Sequence, residues 1–213
     1  MNKDIRKLVL DVFNEIDEIM SEYGFKRRSN GLIYSRTFGN TKQKIELVFQ
    51  THPLGQPDAL ARIYPWLSVH YPEVNQFATA VLGENIIIDS LKDLSLRQPV
   101  QTGKEYDRWF IYNESDIKTL SLKIKEYFVK NTIPFLNSLK NIEQYIRMYE
   151  MQDKRLWMDD RQYIYFACAY ALKKEYQKGY DLLEKRFGKA GSRRTYQKLF
   201  EYFEQRLWYK WKE

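Results

Sequence analysis

The hydrophobic period of this chain changes along its length, and that change constrains the fold more than any other feature. Between Gly31 and His70 the residues alternate as half-buried strands do: Ile45, Leu47 and Phe49 interleave with Lys44, Glu46 and Val48. From Ser115 onward apolar residues recur every three or four positions, beginning with Ile117, Leu120, Ile124 and Phe128, and the pattern stays helical. An amphipathic stripe also opens the chain, through Ile5, Leu8, Val9, Val12, Phe13, Ile16, Ile19, Met20 and Tyr23, with Asp4, Asp11, Asp17 and Glu18 off it. A helix, a run of strands and then a run of helices make an α+β protein: an N-terminal helix packed on a mostly antiparallel sheet, followed by an all-helical C-terminal part.

Local signals set the expected boundaries. Gly24 stops the first helix, and Gly39-Asn40 makes a two-residue hairpin turn between a strand at 31–38 and one at 41–49. The Pro- and Gly-rich stretch 52–58 is a loop. A third strand spans about 59–70, and Pro65 inside it marks an edge strand or a bulge. Pro72 opens a short helix that Gly83 closes. Ile86-Ile87-Ile88, Leu94 to Leu96 and Arg108 to Tyr112 are further strand candidates. Ser115 is placed to cap the next helix, and Pro134 to break or kink it. More helices are expected near 139–152, 160–173, 176–187 and 192–208. Ala167, Ala169, Ala171, Tyr176, Gly179, Tyr180 and Leu183 resemble one tetratricopeptide helix pair, but no second copy exists, so a single helical hairpin is expected. The division implied is an α+β domain at 1–138 and a helical subdomain at 139–213.

At 213 residues the chain is long enough to bury roughly 70% of its unfolded surface and needs no disulfide or metal to hold a core. Its one cysteine, Cys168, allows no internal disulfide, which fits a reducing, cytoplasmic setting. No signal peptide and no membrane span are expected from the apolar runs present. The net charge of +7 is uneven. Positions 1–100 hold 12 basic and 12 acidic residues, whereas 101–213 hold 23 and 16. Within 173–213 the balance is 12 to 6. A basic segment of this kind is either a solvated helical surface or a site for nucleic acid, an anionic membrane or an acidic protein.

Few residues carry a chemical motif. His52 and His70 could hold a metal together with Asp58, but no paired-histidine helix spacing is present, and no metal site is expected. Cys168 lies among Tyr165, Phe166, Ala167 and Ala169 and reads as a helix-packing thiol. Asp159-Asp160 and Glu114-Ser115-Asp116 sit at helix starts, where carboxylates cap and favour the dipole. Glycine-rich phosphate loops and the nucleophile elbow are missing from the sequence. Lys26-Arg27-Arg28 forms one basic cluster. Lys185, Arg186, Lys189, Arg193 and Arg194 form another, and these five are the candidate anion- or nucleic-acid-binding residues. The tail from Leu207 interleaves aromatics with lysines, and Trp208 and Trp211 are expected to dock on the protein's own helices.

Several segments carry a family resemblance: Tyr23-Gly24-Phe25-Lys26-Arg27 leading into Leu32-Ile33-Tyr34, then Leu47-Val48-Phe49-Gln50, Trp109-Phe110-Ile111, Asn113-Glu114-Ser115-Asp116 and Ile133-Pro134-Phe135-Leu136. Over roughly residues 2–140 the chain resembles the bacterial domain-of-unknown-function 4304 family. The resemblance implies an α+β fold and a small bacterial accessory protein, associated in some instances with toxin or defence systems. It supplies no catalytic residues, and the helical extension after about residue 140 departs from it.

The function expected first is non-enzymatic protein binding in a bacterial cytoplasm, with an immunity-like role against a toxin as one form of it. Abundant tyrosine and tryptophan favour an interface. Nucleic-acid binding through the basic C-terminal helices is the alternative. An enzyme with an unfamiliar site around His52 or His70 is the third. No catalytic residue is assigned, and no cofactor is expected.

Overall fold

A computed structural model describes residues 3–28, 31–83, 95–102 and 108–209. The strand expected at Ile86–Ile88, most of 89–107, and Trp211 lie outside the described residues. The fold is α+β, with the helix at the N-terminus, the antiparallel sheets and the C-terminal helices that the hydrophobic pattern requires. The chain divides into two compact units. One comprises Met1–Val69 and Arg97–Lys140, the other His70–Leu96 and Asn141–Glu213. The segment 70–96, assigned from sequence to the α+β part, therefore groups with the helices.

The first unit begins with α1 (Lys3–Asn14) and α2 (Asp17–Glu22), where a single helix was expected. The break falls at Ile16, beside a buried tyrosine. The Tyr34 hydroxyl lies 3.1 Å from the Phe13 carbonyl and 2.5 Å from Asp17 Oδ1, so the interrupted turn gives a buried phenol its acceptors. Gly24 ends α2, and Phe25 N donates back to the Met20 carbonyl at 3.0 Å. The strands follow as β1 (Lys26–Arg27), β2 (Ile33–Phe38), β3 (Thr41–Glu46), β4 (Phe49–Thr51), β5 (Ala61–Ile63), β6 (Trp66–His70), β7 (Leu96–Pro99) and β8 (Trp109–Ile111).

They form two sheets, of order β1-β2-β3-β6-β7 and β4-β5-β8. The long strand expected at 41–49 ends at Glu46, and the chain crosses to the second sheet as β4. The strand expected at 59–70 splits at Pro65 in the same way. Pro65 is neither in an edge strand nor in a bulge. It stands between β5 in one sheet and β6 in the other, where its missing N–H costs no ladder bond, and its carbonyl accepts from Val100 N at 2.8 Å. The β2–β3 hairpin turns at Gly39-Asn40 as expected, with Phe38 opposite Thr41.

After β8 come α4 (Asp116–Tyr127), one π-helical turn (Phe128–Thr132) and α5 (Ile133–Asn137). Ser115 makes no side-chain cap. Asp116 instead accepts the backbone N–H of Tyr112 and Asn113 at 2.8 and 3.0 Å. Pro134 does not end the helix: the wider π turn just before it accommodates a residue that brings a ring and no N–H. α1 packs against β5 and α4, and Val9, Val12, Phe13, Ile63, Trp109, Ile111 and Ile124 are buried in this unit.

The second unit contains α3 (Pro72–Leu82), α6 (Ile142–Glu150), α7 (Asp160–Leu172), α8 (Tyr176–Phe187), α9 (Ala190–Thr195) and α10 (Gln197–Tyr209). Asn141 and Asp159 cap α6 and α7 through Gln144 N and Gln162 N, at 2.9 and 3.1 Å. Every residue from Ile164 to Ala171 is buried, because α7 is flanked by α3, α6 and α8 and has almost no solvent face. α8 and α10 approach closely at Gly179: a Cβ there would stand 2.4 Å from Phe203 Cε1. Tyr71, Tyr145 and Phe166 stack, with ring centroids 4.8 and 4.0 Å apart. The Tyr145 hydroxyl donates to the Ser95 carbonyl at 2.9 Å, so this aromatic stack carries no unpaired phenol at its centre.

Candidate functional site

The basic cluster expected to bind anions lies on α8 and α9 and is partly neutralised by its own fold. Arg186 donates to Asp160 Oδ1 at 2.5 and 2.8 Å and covers the Tyr163 ring. Arg193 pairs with Glu184 at 2.6 Å and with Glu204, and lies over Phe200. Lys185, Lys189 and Arg194 are exposed. Arg193 and Arg194 occupy the last turn of α9, a helix of six residues, and not a helix N-terminus. The charge balance also changes once the chain is divided by folded unit. The first unit holds 18 basic and 13 acidic residues and the second 17 and 15, so most of the positive excess belongs to the α+β unit.

Other expected groups are dispersed. His52 is exposed on the β4–β5 loop, His70 ends β6 in the other unit, and Asp58 is exposed. Among the described residues, no group of three or more His, Cys, Asp or Glu side chains could hold a metal ion. Arg27 pairs with Asp17 at 3.2 Å and with Asn14, while Lys26 and Arg28 face solvent. Trp208 does not dock: it is 75% exposed, on the same stripe of α10 as Glu201 and Gln205 and away from Leu199, Phe200 and Phe203. No described helix is long and apolar enough to cross a membrane.

Cys168 is fully buried in α7, and desolvation holds its thiol well above the ordinary range. The native protein is therefore expected to react with an aromatic disulfide reagent about a thousandfold more slowly than the urea-unfolded chain. Stoichiometric labelling within seconds under native conditions would contradict this burial.

The structure brings together a different set of residues, on the outer face of the three-stranded sheet. Ala61, Ile63, Trp109 and Ile111 turn inward and are buried. The alternate positions face out, and register sets Gln50 opposite Arg62 and Arg62 opposite Phe110. Arg62 and Tyr64 share this face, with the guanidinium 5.6 Å from the ring centroid. Arg108, Phe110 and Tyr112 are two residues apart along the same chain, and the last two rings lie 6.1 Å apart.

The β4–β5 loop walls the face on one side. Gln56 N bonds the Pro53 carbonyl at 3.1 Å, and Gly55, at φ +81°, supplies the left-handed residue of that turn. The turn projects Leu54 almost wholly into solvent, at 96% exposure. The Tyr112 hydroxyl reaches Gln56 Oε1 at 3.4 Å. Between loop and strands lies an open cavity of about 470 Å³, lined by Pro53, Leu54, Gly55, Gln56, Arg62, Arg108 and Phe110. That size is typical of a ligand pocket. Among the described residues its lining has two guanidinium groups, an aromatic ring and aliphatic surface.

Sequence reasoning missed Arg62 and Arg108. The signal was present in two alternating segments, Ala61-Arg62-Ile63-Tyr64 and Arg108-Trp109-Phe110-Ile111-Tyr112, each placing one arginine with aromatics opposite a buried face. Comparison of the chain with known protein families, with curated proteins and with solved structures finds no match.

Proposed function

We propose that this protein is a non-enzymatic binding module that receives a protein partner on the outer face of the β4-β5-β8 sheet. The observation that carries this reading is the composition of one continuous surface: a leucine held out at a loop tip, beside Phe110, Tyr112 and two arginines around a cavity. Aromatic residues and arginine are the side chains that concentrate binding energy at protein interfaces, where they combine large contact area with directed hydrogen bonds. An exposed leucine alone is ordinary. One placed at the rim of a pocket with aromatic and cationic walls is an anchor that a partner can cover. An immunity-like role in the cytoplasm, in which the module occludes a toxin, is one form this function takes. The resemblance to the domain-of-unknown-function 4304 family points the same way.

The test pairs the wild-type chain with a Leu54→Asp/Tyr112→Ala variant. Both substitutions are at exposed positions, so the fold is expected to be kept, as circular dichroism would verify. A partner that co-purifies stoichiometrically with the wild type, when purified and titrated calorimetrically, is expected to bind the variant about thirtyfold more weakly or worse. Equal affinity for both chains would move the interface elsewhere. Failure of any partner to co-purify would remove the reading.

A further inference from the structure

We infer that the outer face of the five-stranded sheet binds the phosphodiester backbone of a nucleic acid, through Lys26, Lys42 and Lys44 and the hydroxyls of Ser35 and Thr37. This surface is on a different sheet from the partner-binding face, and the inference stands independently of that reading.

Register places the five side chains together. Lys26 in β1 stands opposite Ser35 in β2, and Ser35 stands opposite Lys44 in β3. Thr37 stands opposite Lys42 in the same hairpin. Residues directly opposite in antiparallel strands share a face, so the five make two adjacent rows. Strand geometry sets the Cα atoms of Lys26 and Lys44 about 10 Å apart, and those of Lys42 and Lys44 about 7 Å apart. Helices hold the other face of these strands: Tyr34 reaches Asp17 of α2, and Arg36 reaches Asn137 of α5. Thr41, Gln43 and Ile45 are buried on that side, whereas Lys26 and Lys42 are exposed and Lys44 is half-buried.

The ammonium groups of Lys26, Lys42 and Lys44 make no hydrogen bond or ion pair among the described residues. Glu46, the carboxylate on this face of β3, is held by Arg97 at 3.2 Å. On α8 and α9, in contrast, Asp160 takes Arg186, and Glu184 and Glu204 take Arg193. Lysine commonly protects the edge of a sheet, and Lys26 on β1 fits that role. β3 is the middle strand of the five, so edge protection does not account for Lys42 and Lys44. The class of partner follows from what lies among the lysines. Protein interfaces are anchored by aromatic rings and arginine, and helices that lie on a membrane bury an apolar face in it. These rows hold neither and set ammonium groups beside hydroxyls. Backbone phosphates are contacted by lysine together with serine and threonine, and a lysine point charge demands no fixed anion geometry. The positive excess of the unit, 18 basic residues against 13 acidic, also steers a polyanion toward it.

The experiment uses the full chain and fluorescent mixed-sequence oligonucleotides of about twenty nucleotides, single-stranded and duplex, with a polyglutamate peptide as the third probe. Fluorescence anisotropy is read over a salt series. At least one oligonucleotide is expected to bind at low salt, with log K falling against log salt at a slope of about −2 to −3, the value for three neutralised phosphates. Lys26→Gln/Lys42→Gln/Lys44→Gln is expected to lose about tenfold or more at low salt and most of that slope, and each single substitution to reduce the slope by about one. Lys185→Gln/Lys189→Gln/Arg194→Gln removes the same charge from exposed positions on α8 and α9, and is expected to stay within about twofold of wild type. Lys26 and Lys42 are exposed, so their double variant carries the test even if Lys44→Gln folds poorly. No binding of either oligonucleotide at low salt would overturn the proposal. Equal losses in the two triple variants would reduce the effect to net charge, and a loss confined to the second would move the site to α8 and α9; either result overturns it. Polyglutamate that binds as tightly through the same lysines would overturn it in favour of an acidic protein.

Discussion

Replacing Arg36 with alanine is expected to lower the unfolding free energy by about 3–5 kcal/mol, a large share of the stability of a domain this size. Arg36 lies in β2, is 8% exposed, and is paired with neutral groups. Its Nε donates to Gln43 Oε1 at 2.9 Å, and its two terminal nitrogens to the Tyr23 carbonyl at 2.8 Å and Asn137 Oδ1 at 2.6 Å. The guanidinium lies 4.4 and 4.5 Å from the ring centroids of Phe25 and Phe38. Burial lowers its pKa to about 10, so it stays charged at neutral pH. One side chain thus joins the end of α2, the β2–β3 hairpin and the end of α5. Gln43 extends the network by donating to the Leu136 carbonyl at 2.7 Å.

Truncation to alanine takes the donor from one buried and two part-buried acceptors and opens a gap between two rings. Arg36→Met keeps the stem between the rings and removes the cost of burying a charge, so it is expected to be milder than alanine by about 1 kcal/mol or more. Arg36→Lys keeps the charge but cannot span three acceptors in a fan. Urea unfolding followed by far-ultraviolet circular dichroism and tryptophan fluorescence would rank the three. An alanine variant within about 1 kcal/mol of wild type would show that water replaces the guanidinium at little cost.

Gly39→Ala is expected to cost about 2–4 kcal/mol, from two separable sources. Gly39 has φ +57°, which strains any residue with a Cβ. That Cβ would also stand 2.4 Å from the Lys140 carbonyl oxygen, which is backbone and holds Asn40 N at 3.0 Å. Gly55→Ala supplies the comparison: its φ is +81°, but no atom lies within 4 Å of an added Cβ. The Gly55 variant is expected to lose about 1 kcal/mol, the conformational part alone. The difference between the two then measures how tightly the hairpin tip is held against the chain that follows α5. Equal losses would mean that the tip moves aside freely.

Some of this protein follows from its sequence by itself. The apolar stripes of α1, α8 and α10, the Gly39-Asn40 turn and the capping carboxylate of Asp159 rest on interactions within a few residues, so local spacing reveals them. The α+β class follows from the order in which strand and helix periods occur.

Tertiary structure decided the rest. Alternation reports which face a side chain takes, but not which neighbour its backbone bonds, so two long alternating segments could not be recognised as four strands in two sheets. A charged residue in a hairpin strand reads as solvent-facing, yet Arg36 is buried because acceptors from the opposite hairpin strand, the end of α2 and the distant end of α5 converge on it. The basic cluster at 185–194 reads as open, yet Asp160, Glu184 and Glu204 take two of its cations. Arg62, Arg108 and Phe110 form one cavity because β5 and β8, far apart in the chain, pair in the register that sets Arg62 opposite Phe110. Register depends on the packing of the whole buried face, and no local spacing encodes it.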